Sequence, residues 1–275
     1  MDFVLFISFE KNINNTMKKL MSMLLLSASL GAFAQVKVTN GPELENDRDS
    51  KMNRMLGGDD NSFYCYRIKT KGKGTSFFVE KYNKKSLKAD FSKEITVEDA
   101  QGTKIEDVEY AMDNVFIFRR EYDKKAGEMN LYYQTVSSQG KVSNKLVNIV
   151  SVISDHYEFV DFDVVANPSK TKFLVKACSK PNKAGAYKTD FILFEAPSMK
   201  AIWTKTVKER LSNSINIWAS MFGAWVDDQL PLFNGMFLDD ADNLFYCYSE
   251  RIKSANKREK FYELKVGSFA STSNK

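Results

Sequence analysis

Asp60-Asn61-Ser62-Phe63-Tyr64-Cys65-Tyr66 and Asp242-Asn243-Leu244-Phe245-Tyr246-Cys247-Tyr248 share one order, an Asp-Asn pair followed by an apolar run with Phe-Tyr-Cys-Tyr in common. Asp and Asn side chains bond to nearby backbone and favour turns. A short apolar run rich in aromatic residues, bounded by such a turn signal, reads as a buried strand. The same order returns at Asp113-Asn114 before 115–121, where Phe116 lies 53 residues after Phe63, and more weakly at Asn167-Pro168-Ser169-Lys170 before 172–178. A strand-turn-strand unit that recurs at this spacing cannot bury its apolar faces alone and must stack on its neighbours.

Working outward from these markers gives four units. The first places strands at 52–57, 63–69, 77–83 and 87–95, with Gly57-Gly58-Asp59-Asp60-Asn61 as its turn. The second places them at 108–112, 115–121, 130–136 and 142–153, and the third at 159–166, 172–178, 190–195 and 200–207. The fourth has 235–239, 244–250 and 260–266, and its fourth strand is missing. The second strand of each unit is almost unbroken in its apolar character, whereas the fourth alternates, as in Leu87-Lys88-Ala89-Asp90-Phe91-Ser92-Lys93-Glu94-Ile95. Central strands covered on both faces and outer strands half exposed give that contrast.

This pattern resembles the four-stranded blade of a β-propeller. The resemblance is architectural and covers 52–266. No Trp-Asp or kelch-type signature places the chain in a named family. The expected fold is therefore all-β, a propeller-like array of about four four-stranded antiparallel units with a short helical insertion. A β-sandwich or two small β domains is the alternative, because short, evenly spaced strands suit those as well. An outer-membrane barrel fits less well, since runs such as Phe63-Tyr64-Cys65-Tyr66 break the alternation that a lipid-facing strand needs. Two explanations stand for the missing last strand: Val36-Lys37-Val38-Thr39 adds to the final unit and closes the ring, or the chain is the front part of a longer propeller.

The N-terminal region gives a compartment. Met17-Lys18-Lys19, an apolar run over 20–33, and Ala32-Phe33-Ala34 followed by Gln35 read as the charged, apolar and cleavage regions of a secretory signal peptide. The run is shorter than the roughly 20 residues that span a bilayer, so no transmembrane span is expected after cleavage at Ala34. The lead 1–16 is long, and translation starting at Met17 accounts for it. Residues 1–34 are set aside as signal peptide and 35–275 as the β-repeat domain, exported to the periplasm, cell surface or medium.

Removing three lysines and two acidic residues with that peptide takes the formal charge from +5 to +4. So mild a basic balance argues against nucleic acid as partner, and export argues against it further. About 240 residues remain, one large domain or two small ones, and an apolar content of 43% supports a core. Three cysteines are an odd number for an exported chain. Cys65 and Cys247 hold the same place in their repeats and read as buried small hydrophobes. A bridge between them requires the first and last units to lie side by side. Cys178 has no matching partner.

Two surfaces stand out for function. The hairpins between second and third strands are basic in every unit, with Lys71 and Lys73, Lys124 and Lys125, Lys183, and Lys257 and Arg258 among their residues. Equivalent loops on one face form a cationic rim that draws an anionic glycan, a lipid head group or an acidic surface of an envelope protein; solubility and edge protection explain the same lysines more simply. The segment 211–233 between the third and fourth units carries Trp218, Phe222 and Trp225, with Ile215, at helical spacing. That stripe either packs onto the β core or anchors a partner.

Catalytic chemistry is sparse. His156 is the only histidine, which excludes a two-histidine mechanism, and no Gly-x-Ser-x-Gly elbow accompanies Ser154-Asp155-His156. Asp239-Asp240-Ala241-Asp242-Asn243 and Asp59-Asp60-Asn61 offer oxygen ligands but complete no calcium loop, and turn formation explains them. No cofactor is expected. The leading expectation is an exported, non-enzymatic binding or scaffold module of the cell envelope that recognises a macromolecule or glycan. A carboxylate-dependent, carbohydrate-active hydrolase, or an inactive fragment of a longer propeller, is the alternative.

Overall fold

In the computed structural model the described residues are 50–71, 74–97, 102–154, 156–157, 160–179, 188–208, 211, 232–252 and 261–271. All of them fall within the compact unit Gly41–Lys275. They form fifteen strands and no α-helix. The first sheet is β1 (Ser50–Gly58), β2 (Ser62–Lys71), β3 (Gly74–Asn83) and β4 (Ala89–Ile95). The second is β5 (Lys104–Ala111), β6 (Asn114–Asp123), β7 (Glu128–Ser137) and β8 (Val147–Ile153). The third is β9 (Val160–Ala166), β10 (Lys172–Ser179), β11 (Lys188–Glu195) and β12 (Lys200–Val207), and the fourth is β13 (Leu232–Leu238), β14 (Leu244–Ile252) and β15 (Phe261–Phe269). Each sheet is an antiparallel meander in chain order.

The turn markers act as the sequence implies. Asp59 accepts hydrogen bonds from the backbone N–H groups of Asn61 and Ser62 at 2.8 and 2.7 Å, and Asp239 accepts one from Asn243 at 2.7 Å. In the third sheet Asn167 takes that role, its Oδ1 accepting from Thr171 and Lys172. Met112 and Asp113, with φ of 47° and 58°, close the tight β5–β6 hairpin between the partners Ala111 and Asn114. Two successive residues with positive φ match the right-handed twist of the flanking strands.

The first strands β1, β5, β9 and β13 neighbour one another in that order, and the sheets stack in sequence, a propeller-like arrangement. The unbroken apolar runs follow from this. Along β6, Val115 and Ile117 join Tyr64, Tyr66 and Val79 of the first sheet, while Phe116 and Phe118 join Phe173 and Val175 of the third. Along β10, Phe173, Val175 and Ala177 face back to the second sheet and Leu174 faces forward to Leu238 and Leu244 of the fourth. Rings interlock across these seams: Tyr64 with Tyr110 at 4.9 Å between centroids, Phe116 with Phe173 at 4.9 Å, and Phe191 with Tyr246 at 5.1 Å.

Several expectations change. The last strand of the second unit begins at Val147, and Val142 makes only an isolated bridge to Val136. Both ends of the segment 211–233, expected as an insertion, touch the sheets. Leu211 is buried in the third seam, where its N–H donates to Thr189 Oγ1 at 2.9 Å, and Leu232 and Phe233 already belong to β13. The two Phe-Tyr-Cys-Tyr motifs point opposite ways: Tyr64 and Tyr66 face the second sheet ahead, whereas Tyr246 and Tyr248 face the third sheet behind. Side chains alternate along a strand, so one residue more or fewer between the turn and the motif reverses the face. Cys65 and Cys247 are therefore not equivalent. Cys65 is buried, whereas Cys247 is only half-buried. The helical stripe and the strand at 36–39 lie outside the described residues.

Phe173 contacts rings on two positions of β6 and has no exposure. Phe173→Ala should lower stability by about 3–5 kcal/mol. Urea unfolding should show the midpoint falling with the slope unchanged.

Candidate interaction surface

The innermost strands bring charges together that are distant in sequence. Arg54 of β1 reaches Asp107 of β5 at 2.6 Å and Glu109 at 3.4 Å, and donates to the Val108 carbonyl. Glu109 also takes Lys170, from the β9–β10 turn, at 3.4 Å. On β9, Asp161 and Asp163 both receive Lys176 of β10, a lysine with no exposure whose Nζ lies 3.9 Å from the Phe233 ring centroid. Lys172 pairs with Asp242, and Asp240 accepts from the Asn167 amide at 2.7 Å and the Ser169 N–H at 2.9 Å. Each seam between sheets thus carries a polar tie near its inner strands. Burial raises the Asp107, Glu109 and Asp163 carboxyls above the ordinary range; Arg54 opposes this at the first two and Lys176 at the third.

The first sheet's face turned away from the second is closed by polar contacts. Arg67 donates to Glu80 Oε1 through Nε at 2.9 Å and Nη2 at 2.7 Å, and to Ser50 Oγ at 2.6 Å. Tyr82 donates to the other Glu80 oxygen at 2.9 Å, and Ser92 donates to Oε1 at 2.8 Å. The Arg67 guanidinium stacks over Phe78 and Phe63 stacks on Tyr82. Burial alone would raise the Glu80 carboxyl, but hydrogen bonds from Arg67, Ser92 and Tyr82 outweigh it and hold the group below its usual range. Cys65 lies under this layer, where burial pushes its thiol up to about 11; it stays protonated and inert at neutral pH. Met52 and Met55 are exposed at the inner margin.

The fourth sheet has the opposite character. Its face toward the third sheet carries Leu238, Leu244, Tyr246, Tyr248 and Phe269. The register places Phe237, Phe245, Cys247, Tyr262, Leu264 and Val266 on the other face. Phe237, Phe245, Tyr262, Leu264 and Val266 are between 43% and 71% exposed, and Glu263 and Lys265 point to the far side, where Lys265 bonds to Glu250. On the outer face of β14 nothing among the described residues lies over the sheet, so the expectation that every second strand is covered on both faces is not met there. Contiguous exposed apolar surface of this kind marks an interaction site.

The surfaces singled out in the sequence are placed only in part. Lys124 and Lys125 are exposed in the β6–β7 hairpin, whose turn is held by Asp123 accepting from the N–H groups of Lys125 and Ala126. Lys71 is the last residue of β2. Lys73, Lys183, Lys257, Arg258, Trp218, Phe222 and Trp225 lie outside the described residues. The Ser154 hydroxyl donates to the His156 backbone carbonyl at 2.8 Å, a turn contact and not a nucleophile-base pair. The apolar face was hidden in the alternation Tyr262-Glu263-Leu264-Lys265-Val266, which gives a half-buried strand without saying which half is buried. No family profile and no curated protein matches the chain.

Two outcomes follow for the polar groups. Lys176→Ala strands two carboxylates at a buried site and should cost about 3–5 kcal/mol, whereas replacing Lys176, Asp161 and Asp163 together with Met, Asn and Asn should leave stability much closer to the parent. Glu80, depressed in the folded state, stabilises fully above the unfolded glutamate range near about 4.3, and this contribution disappears as pH falls through the lower folded value. Glu80→Gln should cost about 1–3 kcal/mol at pH 7, with the difference narrowing in urea unfolding at pH 3.

Proposed function

We propose that the chain is an exported, non-enzymatic binding module of the cell envelope, and that it recognises a macromolecular partner through the outer face of its fourth sheet. One observation carries the reading: five large apolar side chains, Phe237, Phe245, Tyr262, Leu264 and Val266, stand exposed on one face of the sheet. Export rests on Met17-Lys18-Lys19, the apolar run and Ala32-Phe33-Ala34. The cationic rim is a second contact zone for an anionic glycan or lipid head group, supported by exposed Lys124 and Lys125.

The hydrolase reading draws less support. Asp107, Glu109, Asp161 and Asp163 lie on the inner strands β5 and β9, each against Arg54, Lys170 or Lys176, and Glu106 of β5 lies against Arg120 and Lys104. A general acid or nucleophile must instead reach a substrate.

Leu264→Glu with Val266→Glu places two charges on exposed positions, so folding should be preserved within about 0.5 kcal/mol per site. Capture from an envelope extract should give a partner with the parent protein and with Lys124→Glu/Lys125→Glu, and lose it with the face variant. Loss through the hairpin variant and retention through the face variant would move the binding site to the cationic rim.

A further inference from the structure

We infer that the hairpin end of the seam between the first and second sheets is a binding site for a neutral oligosaccharide. The site is separate from the outer face of the fourth sheet and does not rest on that face being a partner surface.

The second sheet carries a polar ladder there. Val115 and Ile117 of β6 pack against the first sheet, and since side chains alternate along a strand the same face continues with Arg119 and Glu121. The register sets Tyr132 and then Asn148 beside Arg119, and Asn130 and then Ser151 beside Glu121. Hydrogen bonds tie this face together. The Asn148 amide donates to Asn130 Oδ1 at 3.0 Å and to Ser151 Oγ at 2.9 Å, and Ser151 donates to Asn130 Oδ1 at 2.6 Å. The apolar part of the seam stops at the ladder: Ile105 pairs with Arg119, and Ile105, with Ile68 and Phe77 of the first sheet, is only partly buried. Apolar side chains therefore border a polar strip.

The chemistry of the strip selects the ligand. Tyr132 and Gln134, next on the same face of β7, are half-buried, and Asn148 and Ser151 are exposed. The Tyr132 hydroxyl, the Gln134 amide and Asn148 Oδ1 make no hydrogen bond among the described residues, so fixed polar groups stand ready with their capacity unspent. The one charged pair, Arg119 with Glu121, is internally compensated. Phosphate-bearing or acidic ligands call for uncompensated cations, which this strip lacks. A pyranose has the matching character, a C–H face with a rim of hydroxyls that both donate and accept. Amides and a phenol hydroxyl likewise do both, and the Tyr132 ring joins an apolar body to a polar tip. Apolar surface with a few placed polar groups is the general composition of a small-ligand site.

The test is calorimetric titration of the full mature chain with cellohexaose, laminarihexaose and maltohexaose, neutral hexasaccharides that differ in linkage. At least one should bind saturably, with the same affinity in low and high salt. Gln134→Ala and Asn148→Ala remove no packed apolar group, and Asn130 keeps Ser151 as a donor in the second, so both should keep the parent's thermal transition. Each should weaken binding about fivefold to tenfold. Tyr132→Ala should weaken it further than Tyr132→Phe, which keeps the ring. Leu264→Glu with Val266→Glu should bind the sugar as the parent does, which separates this site from the fourth-sheet face. Absence of binding by all three sugars, or unchanged affinity in the Gln134→Ala/Asn148→Ala double variant, would overturn the inference. So would binding that disappears in high salt or through the face variant, since the sugar would then sit on the cationic rim or on the fourth sheet.

Discussion

Burial of both faces of one strand is the constraint from which the architecture follows. A run such as Val115-Phe116-Ile117-Phe118 sends alternate side chains in opposite directions, and each large apolar side chain left in water forgoes about 1.5–3 kcal/mol. A single sheet covers neither of its own faces. The second and third sheets are therefore held between neighbours, and among the described residues their strands β6 and β10 carry the longest unbroken buried runs, 115–118 and 173–179. Stacking solves the problem for every internal sheet and transfers it to the two terminal faces.

The terminal faces resolve it differently. On the first sheet, aromatic rings and a guanidinium lie flat over the surface, and Glu80 collects three donors, so a polar layer in contact with water shields Cys65. That is how a capping repeat stays soluble. Among the described residues the fourth sheet has no such layer on its outer face. The two ends of one stack differ in chemistry even though they share a Phe-Tyr-Cys-Tyr motif, and the difference arises from which face the motif's tyrosines take. Where Tyr64 and Tyr66 point inward to the stack, Cys65 and Arg67 are left to face out, and Arg67 can recruit Glu80. On β14 the register puts Phe245 and Cys247 outside, with Gly235 and Val266 opposite Cys247, and Ser249 follows Tyr248 where Arg67 follows Tyr66 on β2.

Much of this was legible in the sequence, and the part that was not has a definite cause. Turn chemistry is local, so Asp59, Asp113, Asn167 and Asp239 located the hairpins, and the apolar runs between them located the strands to within a few residues. Facing is not local. It depends on turn length and bulges, and a difference of one residue is enough to reverse it. The inner-strand ion pairs were equally hidden, because Arg54 and Asp107 stand on different units and only stacking joins them. Lys176 is the hardest case: within Phe173-Leu174-Val175-Lys176-Ala177 it reads as a solvated interruption, whereas it is fully buried with two aspartates across one strand pair.

These ties orient the stack more than they stabilise it. Removing a lysine or carboxylate from water costs several kcal/mol, and pairing roughly returns what burial takes. Their value lies in position, since Arg54, Lys170 and Lys172 each fix a side chain or turn of one sheet against the next. A slip of one sheet along its neighbour would leave Asp107, Glu109 and Asp242 without those partners, a penalty that apolar packing, being non-directional, cannot impose. Register fixed in this way has a consequence at the last sheet: β13, β14 and β15 are held in one orientation against the third sheet, so the exposed row of Tyr262, Leu264 and Val266 is presented on a rigid support. On the proposed reading, a partner docking there would meet paired strands and would not have to bear the ordering cost of a loop.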